Sequence, residues 1–321
     1  MEENNIKEEI NNVINSKGGL EIYVCIKKKN DNEKKIEIRK LNIEDKLRDV
    51  LQEKIENKLR NEYCSQDIKY NSIENYNEIK DEYCIIDKSQ FDGINIICEL
   101  DKIEEFDKPD NEEFYKTDNE GLQGFIFKYG IKKEYIILYQ QFYPVNSVKK
   151  NTNSAIGCFK KTKNKITFKL IEEDIIKITD KIDIIVLSQY IISNKLNILE
   201  NIFGFEQYIE NISNDTKTAI NNIGIIEETD KINKYFNDSK NKKRLVKMRN
   251  SKVLKMKKEM ILERIFEDDY YKQNIKMENG KIKITSEKDF NIFIKLLNDD
   301  ILVSNITKTT YDTLIKKEEV I

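Results

Sequence analysis

The spacing of apolar residues changes period near Phe205, and that change restricts what the sequence can fold into. Before it, Phe125 to Tyr129, Tyr135 to Phe142, Ala155 to Lys160, Ile166 to Ile171 and Ile182 to Leu187 are short runs rich in Ile, Phe and Tyr. Branched and aromatic side chains pack well on a pleated surface, so these runs predict strands of a mostly antiparallel sheet. After it, Tyr208, Ile209, Ile212, Ala219 and Ile220 suit a helix, and helical segments continue to about residue 266. A small β element over Lys281 to Ile284 follows. A helix over Glu287 to Leu297 then starts after a Ser286-x-x-Asp289 capping box, and an extended tail closes the chain.

Residues 2 to 16 read as a polar helix, set off by Gly18-Gly19 from two β-rich runs, Leu20 to Ile26 and Lys35 to Arg39, that predict a hairpin. Ile43, Leu47, Leu51, Ile55 and Leu59 recur at spacing four and predict an amphipathic helix packed on that hairpin. Asp107 to Glu120, with Pro109 and many acids and amides, has too little apolar surface to pack and reads as an exposed connection. The expected class is α+β: a mostly antiparallel sheet with flanking helices in the N-terminal and central parts, and a helix-rich C-terminal part. The expected regions are 1–118, 119–204 and 205–321, since 321 residues suffice for two domains or one elongated one.

What is missing narrows the chemistry. The chain has no histidine, which removes Ser-His-Asp and Cys-His catalysis, H-E-x-x-H metalloproteases and the His-dependent nucleases together. Its ten glycines form neither a P-loop nor a dinucleotide fingerprint. The five cysteines include no C-x-x-C pair, and the N-terminus has no signal-peptide pattern, so buried free thiols in a reducing cytosol are expected. The most apolar stretches, such as Ile182 to Leu187, are far shorter than the roughly 20 residues that cross a bilayer. No cofactor, resident metal or catalytic residue is expected. The nearest carboxylate candidates for Mg²⁺, Asp92 with Glu99 and Lys102, Asp268-Asp269 and Asp299-Asp300, read as solvated loops and turns in a chain that is 36% charged.

The net charge is −2, so attraction to phosphate depends on clustering. From Lys240 to Lys258 the row KNKKRLVKMRNSKVLKMKK holds ten basic residues and no acid, with two of the six arginines in the chain. Lys240, Lys242, Lys243, Arg244, Lys247, Arg249, Lys252, Lys255 and Lys258 are the expected DNA contacts. Asp238 or Ser239 can cap one helix and Asn250 or Ser251 a second, which would show Lys252, Lys255 and Lys258 on one face while Val253, Met256 and Met260 turn to the core. In that second helix cations would sit at the start and Glu259, Glu263 and Glu267 near the end, against the helix dipole. No aromatic interrupts the run, so duplex backbone contact fits better than a single-strand stacking groove. A surface patch paired with acids elsewhere, or contact with an anionic membrane, remain open readings.

The pieces EGLQGFIFKYG, DKIDIIVLSQYIISNKLNILENIFGFEQYIE, KKRLVKMRNSKVL and ENGKIKITSEKDFNIFIKLLNDDILVSNITKTTYDT are similar, in order and spacing, to the KwaB-like family of the Kiwa anti-phage system. The resemblance runs from about Gly121 to the C-terminus. It departs at Ile306-Thr307-Lys308, which lacks the glycine of the family pattern. What the resemblance implies is a cytosolic, dimeric DNA-binding defence protein that acts with a small multi-pass membrane protein, KwaA, against phage DNA replication or transcription. Recruitment to the inner face of the membrane would then depend on that partner. Two alternatives stay beside it: a Mg²⁺-dependent nuclease of phage defence, and a protein-docking module for which DNA is irrelevant.

Overall fold

The computed structural model describes residues 2–30, 33–76, 79–100, 103, 121–132, 134–143, 147–148, 157–162, 165–170, 175–227, 229–304, 306–307 and 309–313. The expected connection from Asp107 to Glu120 lies outside them, as does Lys102. The chain forms two compact units, residues 1–68 with 94–198, and residues 69–93 with 199–321. The fold is mixed, with a large antiparallel sheet and many helices, as the apolar spacing predicts.

The strands of the first unit and of the 69–93 segment, in chain order, are β1 (Gly19–Asn30), β2 (Glu33–Lys40), β3 (Lys69–Ser72), β4 (Glu82–Asp87), β5 (Leu122–Ile131), β6 (Glu134–Gln141), β7 (Ser147–Val148), β8 (Gly157–Thr162), β9 (Lys165–Leu170), β10 (Ile175–Ile176), β11 (Ile184–Val186) and β12 (Tyr190–Ser193). In the first unit the order β2-β1-β5-β6-β11-β12 runs with every neighbour antiparallel. The helix Glu2–Asn15 packs on β5 and β6. It is less polar than its composition implies, because Ile6, Ile10, Val13 and Ile14 form one buried stripe at helical spacing. Gly18 lets the chain enter β1 beside β5: a Cβ there would sit 2.1 Å from the backbone of Gly130.

The helix Asp45–Lys58 packs on β1, continues through a π turn, Leu59–Tyr63, and buries Leu51, Ile55, Leu59 and Tyr63. Leu47, expected on that stripe, is 43% exposed, because the buried face begins one turn later. Tyr63 completes the packing by donating from its hydroxyl to the Ile182 carbonyl at 2.9 Å. The runs at Ala155 and Ile166 correspond to β8 and β9, which pair with each other as a separate ladder instead of extending the large sheet.

In the second unit β3 and β4 form a parallel pair that the apolar pattern does not announce. The helices Phe205–Ile223, Thr229–Phe236, Ser239–Met248, Lys258–Glu267, Asp269–Asn274 and Glu287–Leu297 surround one core. Phe290 lies at its centre, stacked on Tyr235 at 5.2 Å and edge-on to Phe236 at 5.6 Å. The capping box is formed as expected, with Ser286 Oγ accepting from the Asp289 N–H at 3.1 Å. Gly224, at φ +70°, ends the long helix where a side chain would be strained.

The expected extended tail is a hairpin of Ile301–Val303 with Thr310–Asp312. Beside it Ser304 Oγ accepts from the N–H groups of Ile306 at 3.3 Å and Thr307 at 3.1 Å. Among the cysteines, Cys25 and Cys84 are buried free thiols and Cys64 and Cys98 are half-buried. Burial pushes the Cys25 thiol up to about 12.

Candidate nucleic-acid interface

Asp238 starts the basic segment as the sequence predicts, with its carboxylate accepting from the Lys240 N–H at 3.0 Å and the helix running over Ser239–Met248. Leu245, Val246 and Met248 bury the inner face of this helix. Lys240, Lys243 and Lys247, three and four residues apart, therefore share its outer side.

The second half differs from expectation. No helix starts at Asn250 or Ser251; Val253–Lys255 is a single 3₁₀ turn, and the next helix begins only at Lys258. Ser251 is the reason. Its hydroxyl donates to the Leu297 carbonyl at 2.5 Å and accepts from the Val253 N–H at 3.2 Å, which ties the chain to the C-terminal helix and turns it sharply. Lys252, which flanks that turn, and Lys255, its last residue, are both exposed. Val253 and Met256 pack against the core as expected, but Met260 is 47% exposed and Ile261 and Ile265 take its place. The supposed conflict with the helix dipole largely disappears: Glu259 lies in the first turn, and Arg264 in the last turn pairs with Glu267 at 2.9 Å.

Four of the nine expected contacts are held by partners within their own unit. Lys242 pairs with Glu210 at 3.0 Å, Lys243 with Glu200 at 2.7 Å and Arg249 with Glu74 at 3.6 Å. Glu200 and Glu74 are largely buried, so these cations fasten the segment to its own unit. Arg244 is half-buried and donates to the side-chain oxygens of Asn241 at 3.3 Å and Asn291 at 2.5 Å. Burial pulls its pKa down against the opposing charge of Asp300, yet a guanidinium stays protonated. Lys240, Lys247, Lys252 and Lys255 are exposed, and Lys258 is half-buried. The three partner carboxylates carry no local sequence signal, being remote in sequence from the cations they bind.

Two of the carboxylate candidates have structural partners. Asp268 caps the helix Asp269–Asn274 by accepting from Tyr270 and Tyr271 N–H, and Asp300 is buried and accepts from the Asn298 side chain at 2.7 Å. Among the described residues no group of three or more acids and cysteines could hold a metal ion.

A family model described as Kiwa protein KwaB-like matches residues 119–307, more than half of the 321 residues. The chain belongs to the Kiwa protein KwaB-like family. Membership suggests a component of Kiwa anti-phage defence. The KwaB-like region holds β5, β6, β11 and β12 of the large sheet and the entire basic segment, while β1, β2 and the two N-terminal helices precede it. Comparison with curated proteins and with solved structures found no match. Among the described residues, no helix is long and apolar enough to cross a membrane.

Proposed function

We propose that this KwaB-like chain is a DNA-binding effector of Kiwa anti-phage defence that grips duplex DNA by its phosphates, without reading sequence. The observation that carries this reading is the exposure of basic residues on a segment fastened to its own unit. Its apolar residues and three ion pairs fix the backbone, while Lys240, Lys247, Lys252 and Lys255 stay exposed on that fixed support, with Lys258 half-buried at the next helix start. Ammonium groups held on a rigid element displace condensed counterions without first paying to order the chain. In this reading the protein acts as a homodimer with a KwaA-like membrane protein, is drawn to the inner face of the membrane by it, and blocks phage DNA replication or transcription.

The test is retention of duplex DNA by purified protein across a salt series, with product sizes checked with and without Mg²⁺. Intact DNA and a log–log salt slope of about −0.9 per phosphate contacted are expected. No retention at low salt would sink the DNA reading, and Mg²⁺-dependent shortening would make the protein a nuclease instead. A second reading is favoured by the three carboxylates that the segment binds within its own unit: the exposed lysines could dock an acidic protein surface. Pull-down of a membrane partner that survives DNase but not high salt would support that reading.

A further inference from the structure

A cavity of about 460 Å³ opens in the first unit, where the ends of β1, β2 and β5 meet the start of the helix Asp45–Lys58. Its size is typical of small-ligand sites. Four cations line it, Lys40, Arg48, Lys128 and Lys132, against a single carboxylate, Glu21. Two other cavities among the described residues are not of this kind: one is lined by Glu37 and Glu99 with no cation, and another sets Glu287 against Lys288 and Lys295.

The strand register explains the cluster. Glu21 stands opposite Lys128 on β5, and Tyr23, two residues on, stands opposite Lys40 on β2, so all four share one face of the sheet. Lys40 reaches Glu21 Oε1 at 2.7 Å, Tyr23 donates its hydroxyl to Oε2 at 2.9 Å, and Lys128 lies 3.9 Å from Oε2 and over the Tyr135 ring at 4.6 Å. Glu21 is therefore shared between two lysines, and its pKa is held low by them although burial alone would raise it. One carboxylate cannot neutralise the cavity. Arg48 has its ion pair with Asp45 at 2.6 Å, but Asp45 is 88% exposed and such a pair contributes little. Lys132 is exposed at the rim. Leu41, Ile43 and Ile131 add partly exposed apolar wall beside the charges.

We propose that this cavity is a binding site for a small polyanion of the nucleoside polyphosphate class, with the phosphates on Lys40, Arg48, Lys128 and Lys132 and the nucleoside against the apolar wall of Leu41, Ile43 and Ile131. A lining of four cations and one carboxylate, with Asp45 on Arg48 outside it, matches a chain of phosphates better than a single carboxylate, and the mixed lining matches a ligand with one charged and one apolar end. The site is remote in sequence from the basic segment and does not rest on the DNA reading.

The experiment is calorimetric titration of the full chain with ATP and, separately, with pyrophosphate. One ATP per chain is expected, bound more tightly than pyrophosphate. Lys132→Gln and Arg48→Gln, both at exposed or half-exposed positions that a folded chain tolerates, should each weaken ATP by about tenfold, the loss of one charge-assisted hydrogen bond. Lys252→Glu with Lys255→Glu should leave ATP binding unchanged while abolishing DNA retention. No heat with ATP at about 1 mM, or heat that the two cavity substitutions leave unaltered, would overturn the proposal. Pyrophosphate binding as tightly as ATP would overturn the role given to the apolar wall.

Discussion

Lys243 Nζ lies 2.7 Å from Glu200 Oε1, although Lys243 belongs to the outer side of a helix that it shares with the exposed Lys240 and Lys247. The Glu200 side chain is only 15% exposed, and Oε1 has no aligned hydrogen bond, so the ammonium is what compensates its charge.

Lys243→Gln should therefore act on stability before it acts on DNA. A loss of about 1–2 kcal/mol is expected, below the figure for a fully buried pair because half of the lysine is in water. The urea midpoint would show it. Adding Glu200→Gln should restore most of the loss; a double variant as unstable as the two singles combined would contradict the pairing.

The exposed lysines should behave in the opposite way. Lys240→Gln and Lys255→Gln are each expected to leave the urea midpoint nearly unchanged and to reduce the salt slope of DNA retention by about 0.9. Arg244→Lys, which breaks the fork held by Asn241 and Asn291, should lower stability by about 1 kcal/mol and leave that slope unchanged. Equal slopes for all three variants would remove the division of the segment into fastening and displayed cations.

Asp183 is a buried charge of the first unit, with a fully inaccessible side chain. Oδ2 accepts from the Gln141 N–H at 2.8 Å, and Oδ1 faces Lys181 at 2.8 Å and Lys195 at 3.7 Å as an ion pair. Lys181, which faces the same carboxylate oxygen, lowers the pKa of Lys195. Asp183→Asn leaves them facing each other with no anion between, so a loss of about 2–4 kcal/mol is expected, reduced from the fully buried case because both lysines are partly exposed. Adding Lys195→Met should recover part of it, and chemical denaturation of the three variants measures both effects.

Asp289 gives the fold an acid-sensitive joint. Burial would raise its pKa, but the Thr285 hydroxyl and amide, Lys276 and the Ser286 amide outweigh that and hold the carboxyl well below the usual range. A carboxyl depressed in the folded state stabilises fully above its unfolded pKa of about 3.9, and that contribution is lost as pH falls through the lower folded value. Asp289→Asn should cost about 1–2 kcal/mol at pH 7 and progressively less below pH 4. Thermal midpoints at pH 7 and pH 3 that fall in parallel for both proteins would contradict this.

Features held by neighbours along the chain were legible in the sequence. The N-terminal helix, the hairpin of β1 and β2, the strands β5, β6 and β11, the capping box at Ser286 and the cap at Asp238 all rest on local spacing or on contacts a few residues apart. The KwaB-like pattern was legible for the same reason, being a succession of such elements. The parallel pair β3 and β4 was not, because a pairing partner outside the hairpin leaves no local mark. The second helix of the basic segment was misplaced because Ser251 is diverted by the carbonyl of Leu297, 46 residues away. The nine cations looked alike in the sequence, since charge is a property of the residue. Which of them are spent on Glu74, Glu200 and Glu210 and which face solvent is a property of distance, and only tertiary packing sets that.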